Sequence, residues 1–381
     1  MPFPVPPAKP VRTVTLHLSH HSTQSALVDE ALRENLSALE LTGNCLWTAS
    51  DETAQIERLV TRGNADLPEG RYGEHAAFAL ADLFDLPEGA EGEVDLEGLA
   101  LEGHYLWLTG SMAYARKKPN PGENDTAKAL ERLSQVKRDP NRWLLGRVPC
   151  TKGADGTWSL HREVRLADGT HLTAGCLKFS DKHGNVLTKA LRTDEHLARF
   201  LEVPAKENGF DVEGVCAFGG RRGVDTVFLG LRGPVLRGWA VLLELELEAT
   251  KPGRLTPRPL GAEEEPYRKH FLDLDGLGIR DLKRSGDDLL ILAGPTMDLD
   301  GPVQIWRWKD AVHAGAETVI PRTRLEMVLQ VPHGYGFDHA EGFCLMPGGR
   351  QVMVTYDNPG PGRLHRNEAS VDLDVFDLPQ G

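Results

Sequence analysis

Two stretches of the chain align without a gap at an offset of 60 residues. Ser37 opens SALELTGNCLWTASDE and Glu97 opens EGLALEGHYLWLTGSM, so Leu39 matches Leu99, Leu41 matches Leu101, Gly43 matches Gly103, and Leu46-Trp47 matches Leu106-Trp107. Each copy reads as a strand, a glycine-containing turn and a second strand. A unit of that size cannot bury its apolar face alone, so copies must stack on one another.

The unit recurs downstream with longer turns. Asp211 opens DVEGVCAFGG, followed by TVFLGLRGP; Gly278 opens GIRDLKRSGDDLLILAGP; His339 opens HAEGFCLMPGGRQVMVTYD. Further strand-like runs, WAVLLELELEA, VQIWRWKD and VDLDVFDLP, follow several copies. Strand pairs at such intervals, with more strands between them, describe four-stranded blades of a β-propeller. The expected fold class is all-β, with five recognisable blades opening near 37, 97, 213, 281 and 341.

The interval from 97 to 213 spans 116 residues and holds either a sixth blade or an insertion. Insertion is favoured, because two helical patterns fill it. One lies near 124–139, with Asp125 as its cap, Ala129, Leu130, Leu133 and Val136 on one face, and Pro140 beyond it. The other lies near 185–202, with Asp194 as an internal cap. Residues 11–381 then form a single propeller domain, and the proline-rich 1–10 is expected to be a disordered tail. The strand VRTVTLHLS has no partner of its own and is expected to complete the last blade, closing the ring.

Composition narrows the partners. With 40% hydrophobic and 26% charged residues, the chain falls in the globular class. A formal net charge of −13 argues against nucleic-acid binding. No apolar run approaches the roughly 20 residues that span a bilayer, so no membrane partner is expected. The first residues lack the order of a secretory signal. Cys45, Cys150, Cys176, Cys216 and Cys344 are scattered and odd in number, fitting neither a disulfide framework nor a zinc site; they read as buried thiols of a cytoplasmic protein. No nucleophile elbow, Walker loop, dinucleotide fingerprint or zinc-protease helix is present, and no organic cofactor is expected.

The chemistry-bearing residues fall at repeat positions. The opening strand of a blade lies nearest the axis, where Gly98, Gly214 and Gly342 permit close approach. Just before them stand Glu97, Glu213 and Glu341, with Asp281 read as their equivalent and Ser37 in the first copy. Carboxylates ringed about one channel mouth cannot all stay ionised unaided. Either they hold a divalent cation, calcium or magnesium, or they are latches to the next blade. A hairpin returns to where it began, so Arg116, Lys117 and Lys118 of ARKKP fall beside Glu97, and Arg232 and Arg237 of GLRGPVLRGW beside Glu213. Asp298 and Asp300 fall beside Asp281, Asp357 beside Glu341, and Arg280 adjoins Asp281. Such cations suit a phosphate or carboxylate ligand.

NGFDVEGV, GLRGPVLRGWAVLLELE, GIRDL with LILAGP, and EGLALEGHYLWLTGS with its basic ARKKP tail resemble the bacterial family called domain of unknown function 3616, over most of the chain. That resemblance implies a propeller architecture more than an activity. More distantly, the Glu-Gly strand openings are similar to those of esterase-like phytase propellers, which implies a metal-assisted phosphoester site; Ser37 breaks the symmetry of the acid ring. Two functions remain open. One is a metal-dependent hydrolase of a phosphorylated or otherwise anionic small molecule, with Glu97, Glu213, Asp281 and Glu341 on the ion and Arg116, Lys117, Arg232 and Arg237 on the anion. The other is a non-catalytic propeller that presents its rim to a protein or metabolite.

Overall fold

Alternating side chains and glycine turns fold into hairpins that stand radially about one axis. The computed structural model describes residues 6–18, 32–61, 70–120, 122, 124–180, 184–219 and 224–379. A first strand, β1 (Arg12–His17), precedes five hairpins. These are β2 (Leu36–Thr42) with β3 (Cys45–Ser50), β4 (Leu96–Glu102) with β5 (Tyr105–Gly110), β6 (Asp211–Gly219) with β7 (Val224–Gly233), β8 (Gly278–Ser285) with β9 (Asp288–Gly294), and β10 (His339–Leu345) with β11 (Gln351–Asp357). In the first two hairpins Gly43 and Gly103 take φ of +56° and +58°, the left-handed conformation of a two-residue turn.

The first strand of each hairpin lines the axis. β2 packs on β4, β4 on β6, β6 on β8, β8 on β10, and β10 on β2 again. Five hydrophobic clusters fill the gaps between successive sheets. Trp47 packs with Leu99 and Leu106, Trp107 with Val215 and Val227, Phe228 with Leu282 and Ile291, Leu292 with Phe343, and Met353 with Leu39 and Leu46. A closed circle of sheets, each burying both faces against neighbours, is a β-propeller. Crowding at the axis explains the small residues there: a Cβ on Gly98 would meet Val215 N at 2.9 Å, and one on Gly342 would meet Ser37 O at 2.8 Å.

Outer strands complete the sheets. β12 (Ser370–Asp377) pairs with β11, and β1 pairs antiparallel with β12 from Arg12↔Val375 to His17↔Ser370, so the first strand completes the last sheet as its pattern requires. Between β5 and β6 the chain adds outer strands to the second sheet, chiefly Leu145–Lys152 and Gly175–Leu177, and two short helices. Less of this interval is helical than its periodicity predicts. α1 (Thr126–Ser134) is capped by Asp125, but Val136 already pairs with Arg116 in a small hairpin. α2 (Val186–Leu191) stops where Asp194 takes the His196 and Leu197 N–H groups to start a new turn. Of the proline-rich 1–10, residues 1–5 lie outside the described residues, and Ala8 N donates to Gln330 O at 2.8 Å. No helix among the described residues is long and apolar enough to cross a membrane.

One irregularity repeats in every hairpin. Strand pairing slips by one residue between Leu36 and Ala38, Leu96 and Gly98, Val212 and Gly214, Ile279 and Asp281, and Ala340 and Gly342. Each slip is a β-bulge that re-aims one side chain toward the rim. The bulged residues are Ser37, Glu97, Glu213, Arg280 and Glu341. Asp281 therefore stands at the glycine position of the repeat, not the acid position, and the true equivalent of the three glutamates is Arg280.

Candidate functional site

The bulges and hairpin ends converge on one rim, at a cavity of about 540 Å³. Glu97 and Glu341 reach it from β4 and β10, Asp51 and Asp357 from the ends of β3 and β11, and Asp95, Asp211 and Arg232 from the strand ends between. Lys206 and the segment Arg116–Lys118 form its basic wall. A side chamber of about 240 Å³ shares Lys206, Arg232, Asp298, Glu341 and Asp357 and adds Arg280, Asp300, His333 and His339.

The arginines at the floor are consumed by carboxylates. Arg280 pairs with Glu341 at 2.5 Å and lies 3.7 Å from Glu213, so the one cation of the bulge ring sits between two of its acids. Arg232 bridges Asp211 and Glu213, each at 2.5 Å. Arg142 holds Asp95 at 2.7 Å and also pairs with Glu93. Burial pushes the Glu213 carboxyl up to about 8, against the pull of Arg232 and Arg280.

Four lining carboxyl groups are left over, the exposed Glu52 and three that are less open to water. Glu97, Asp51 and Asp357 have no hydrogen bond or ion pair from their side chains among the described residues, and Asp51 Oδ1 is buried without a partner. Burial, then Asp95, Glu213, Glu341 and Asp211, raises Glu97 well above the ordinary carboxyl range. Burial, then Asp95, Glu341 and Asp357, does the same to Asp51. Asp357 rises to about 6 through burial and Glu341, against Lys206, Arg280 and His339. Desolvation and like charge both disfavour the anion, so these groups bind protons or another cation more readily than water-exposed acids do.

On the wall, Lys118 pairs with Asp298 at 2.7 Å and Lys117 Nζ donates to Gln135 Oε1 at 2.7 Å. Arg116 pairs with Glu207 and donates to Leu133 O at 2.7 Å. Lys206 has no ion pair or hydrogen bond from its ammonium among the described residues. Lys206 is exposed, and partial desolvation and Arg232 oppose its charge, yet Glu341, Asp298 and Asp357 carry its proton affinity above the ordinary value.

Three residues expected at the site do not line it. Arg237 occupies the turn between Leu236 and Trp239, with φ of +51°, and lines neither cavity. Asp281 is fully buried beneath the rim, where it accepts from Leu282 N at 2.7 Å, Lys283 Nζ at 3.0 Å and Phe343 N at 3.0 Å. Its contact with Phe343 latches the fourth sheet to the fifth. Glu213 lies behind its arginines and is not a lining residue.

A family model described as a protein of unknown function (DUF3616) matches residues 35–374. The chain belongs to the DUF3616 family. Among curated proteins none matches it. Among solved structures, this DUF3616 chain is similar to Myxococcus xanthus glutaminyl cyclase, at 11% identity over 98% of this chain and 100% of the other, with a TM-score of 0.38. It is also similar to a Penicillium chrysogenum α-L-arabinanase, at 10% identity over 97% and 98%, with a TM-score of 0.36.

Several residues of the DUF3616 site carry no repeat signal. Asp51 does follow the hairpin rule, since it stands just past β3 as Ser111 stands just past β5, and that signal was available in the alignment. Arg142 comes from a turn after α1 and Lys206 from a turn before β6; neither has a local mark. His339 faces Asp300 at 2.9 Å, and Asp300 is itself fixed by Gly336 N at 2.9 Å, a contact made by loops distant in sequence.

Proposed function

We propose that the rim cavity binds a phosphorylated or similarly anionic small molecule together with a divalent cation, and that the chain hydrolyses that molecule. One observation carries this reading: Glu97, Asp51 and Asp357 face one cavity with no cation of their own, while every floor arginine is already paired. Unpartnered, partly desolvated oxygen acids are the donor set of a hard divalent ion. Among the described residues no three His, Cys, Asp or Glu side chains stand close enough to enclose a bare ion. The ion in this reading keeps part of its water shell, as magnesium does.

Bound there, the cation would lower the proton affinity of a water molecule and offset charge on a phosphoryl oxygen. The chain's own residues supply the rest. Lys206 and Lys117 offer point charges to the anion, and Arg232 and Arg280 keep Glu213 and Glu341 from competing with it. Of the acids given to the ion from sequence only Glu97 is left, joined by Asp51 and Asp357, while Glu213, Glu341 and Asp281 act as structural groups.

Calorimetric titration with magnesium, calcium and manganese, alone and with inorganic phosphate, tests the binding. Saturable uptake that Glu97→Gln abolishes is expected, with phosphate binding only when the ion is present. Aryl phosphate turnover dependent on the same ion then separates a hydrolase from a binding propeller. If no ion binds to the native chain, the reading is wrong.

A further inference from the structure

Among the described residues eight large hydrophobic side chains are exposed; three of them line this polar cavity or its side chamber, and three more lie within three residues of a lining residue. Leu133 lines the main cavity, and Met297 and Leu299 line its side chamber. Leu130 lies one turn from Leu133 on α1 and is 62% exposed. Tyr335, 84% exposed, and Phe337 flank the lining residue Gly336. Polar contacts hold these segments together. Arg116 donates to Leu133 O, Arg132 donates to Lys118 O at 2.7 Å, and Lys118 pairs with Asp298, which stands between Met297 and Leu299. The apolar residues of the helix and of the 297–299 loop therefore share one edge, built on the same basic segment that forms the cavity wall.

A small hydrophilic ligand would leave this collar in water. Contiguous exposed apolar surface on a monomer commonly marks a binding site. We propose that the ligand is an amphiphile: a phosphate-like head enters the cavity and its hydrocarbon portion lies across Leu130, Leu133, Met297, Leu299, Tyr335 and Phe337. The inference rests on the anion-and-cation reading of the cavity and adds the substrate class. The occupant is a single molecule whose two ends match two adjoining surfaces, since charged floor and apolar edge belong to one opening.

The test is a calorimetric series with magnesium present: inorganic phosphate, then n-alkyl phosphates from ethyl to octyl, each below its aggregation threshold. Affinity is expected to rise roughly threefold to fourfold per methylene until the chain outgrows the collar, as burial of a CH₂ group dictates. The double variant Leu130→Ser with Tyr335→Ser, both exposed and outside the cavity lining, is expected to bind inorganic phosphate as the native protein does and to flatten the chain-length dependence. Equal affinity for ethyl and octyl phosphate, with phosphate binding intact, overturns the amphiphile inference and leaves the cavity reading standing. Failure of every member to bind overturns both. Adhesion to anionic phospholipid vesicles without saturable binding of monomeric octyl phosphate also overturns the inference, in favour of a surface-docking role.

Discussion

Asp281 accepts three hydrogen bonds, and its partner Lys283 reaches across the axis to Leu99 O at 2.7 Å while Glu40 stays 4.0 Å away. Burial lifts Glu40 to about 7 despite Lys283, so the ammonium depends chiefly on Asp281. Asp281→Ala strips a buried ion pair of one partner and should cost about 3–5 kcal/mol in chemical denaturation. Cation uptake at the rim should be unchanged in the folded fraction, which separates latch from ligand. Glu97→Gln should do the reverse, raising the melting temperature of the ion-free protein because it removes a desolvated, repelled carboxyl, while abolishing stabilisation by added ion. Asp357 sets a pH window. Its folded value near 6 lies above the ordinary carboxyl value of about 3.9, so between those limits the folded chain holds more protons than the unfolded one. Stability then falls as pH rises through that window, and the loss is complete above it. Asp357→Asn should raise the melting temperature more at pH 8 than at pH 4; an equal gain at both would show that the group is not shifted.

At the scale of elements, the hairpins were legible because their signals are local. Alternating apolar residues, a glycine in the left-handed turn and small residues at the axis all recur at fixed spacing, from Leu39 and Leu99 to Gly98 and Gly342. The bulge was not legible, because a one-residue slip leaves composition and periodicity intact. It changes only which of Arg280 and Asp281 faces the rim, and that depends on pairing with Leu292. The helices were overread for a different reason. Ala129, Leu130 and Leu133 do lie on α1, but Val136, counted on the same face, pairs with Arg116 across a hairpin that helical spacing does not reveal. The glycine at the bulge follows from packing, so Gly342→Ala, whose Cβ would press on the backbone of Ser37 and Ala38, should destabilise by about 1–3 kcal/mol without touching the site acids.

For the whole molecule, the site exists only because the ring closes. Asp51, Glu97, Asp357 and Lys206 come from four separated stretches, and β1 on β12 ties the last sheet to the chain's beginning. Removing residues 1–17 should expose the edge of Ser370–Asp377 and open the ring, seen as a broadened thermal transition and self-association on gel filtration. The rim's general place was legible from the hairpin rule, whereas its charge balance was not, because Arg142 and Lys206 arrive from irregular segments. The most direct test of the account is anomalous diffraction from crystals of the native chain equilibrated with manganese. One strong peak is expected in the rim cavity beside Glu97, Asp51 and Asp357, absent from the Glu97→Gln crystal; a cavity free of metal at saturating manganese, or a peak unaffected by that substitution, would overturn the proposed cation site.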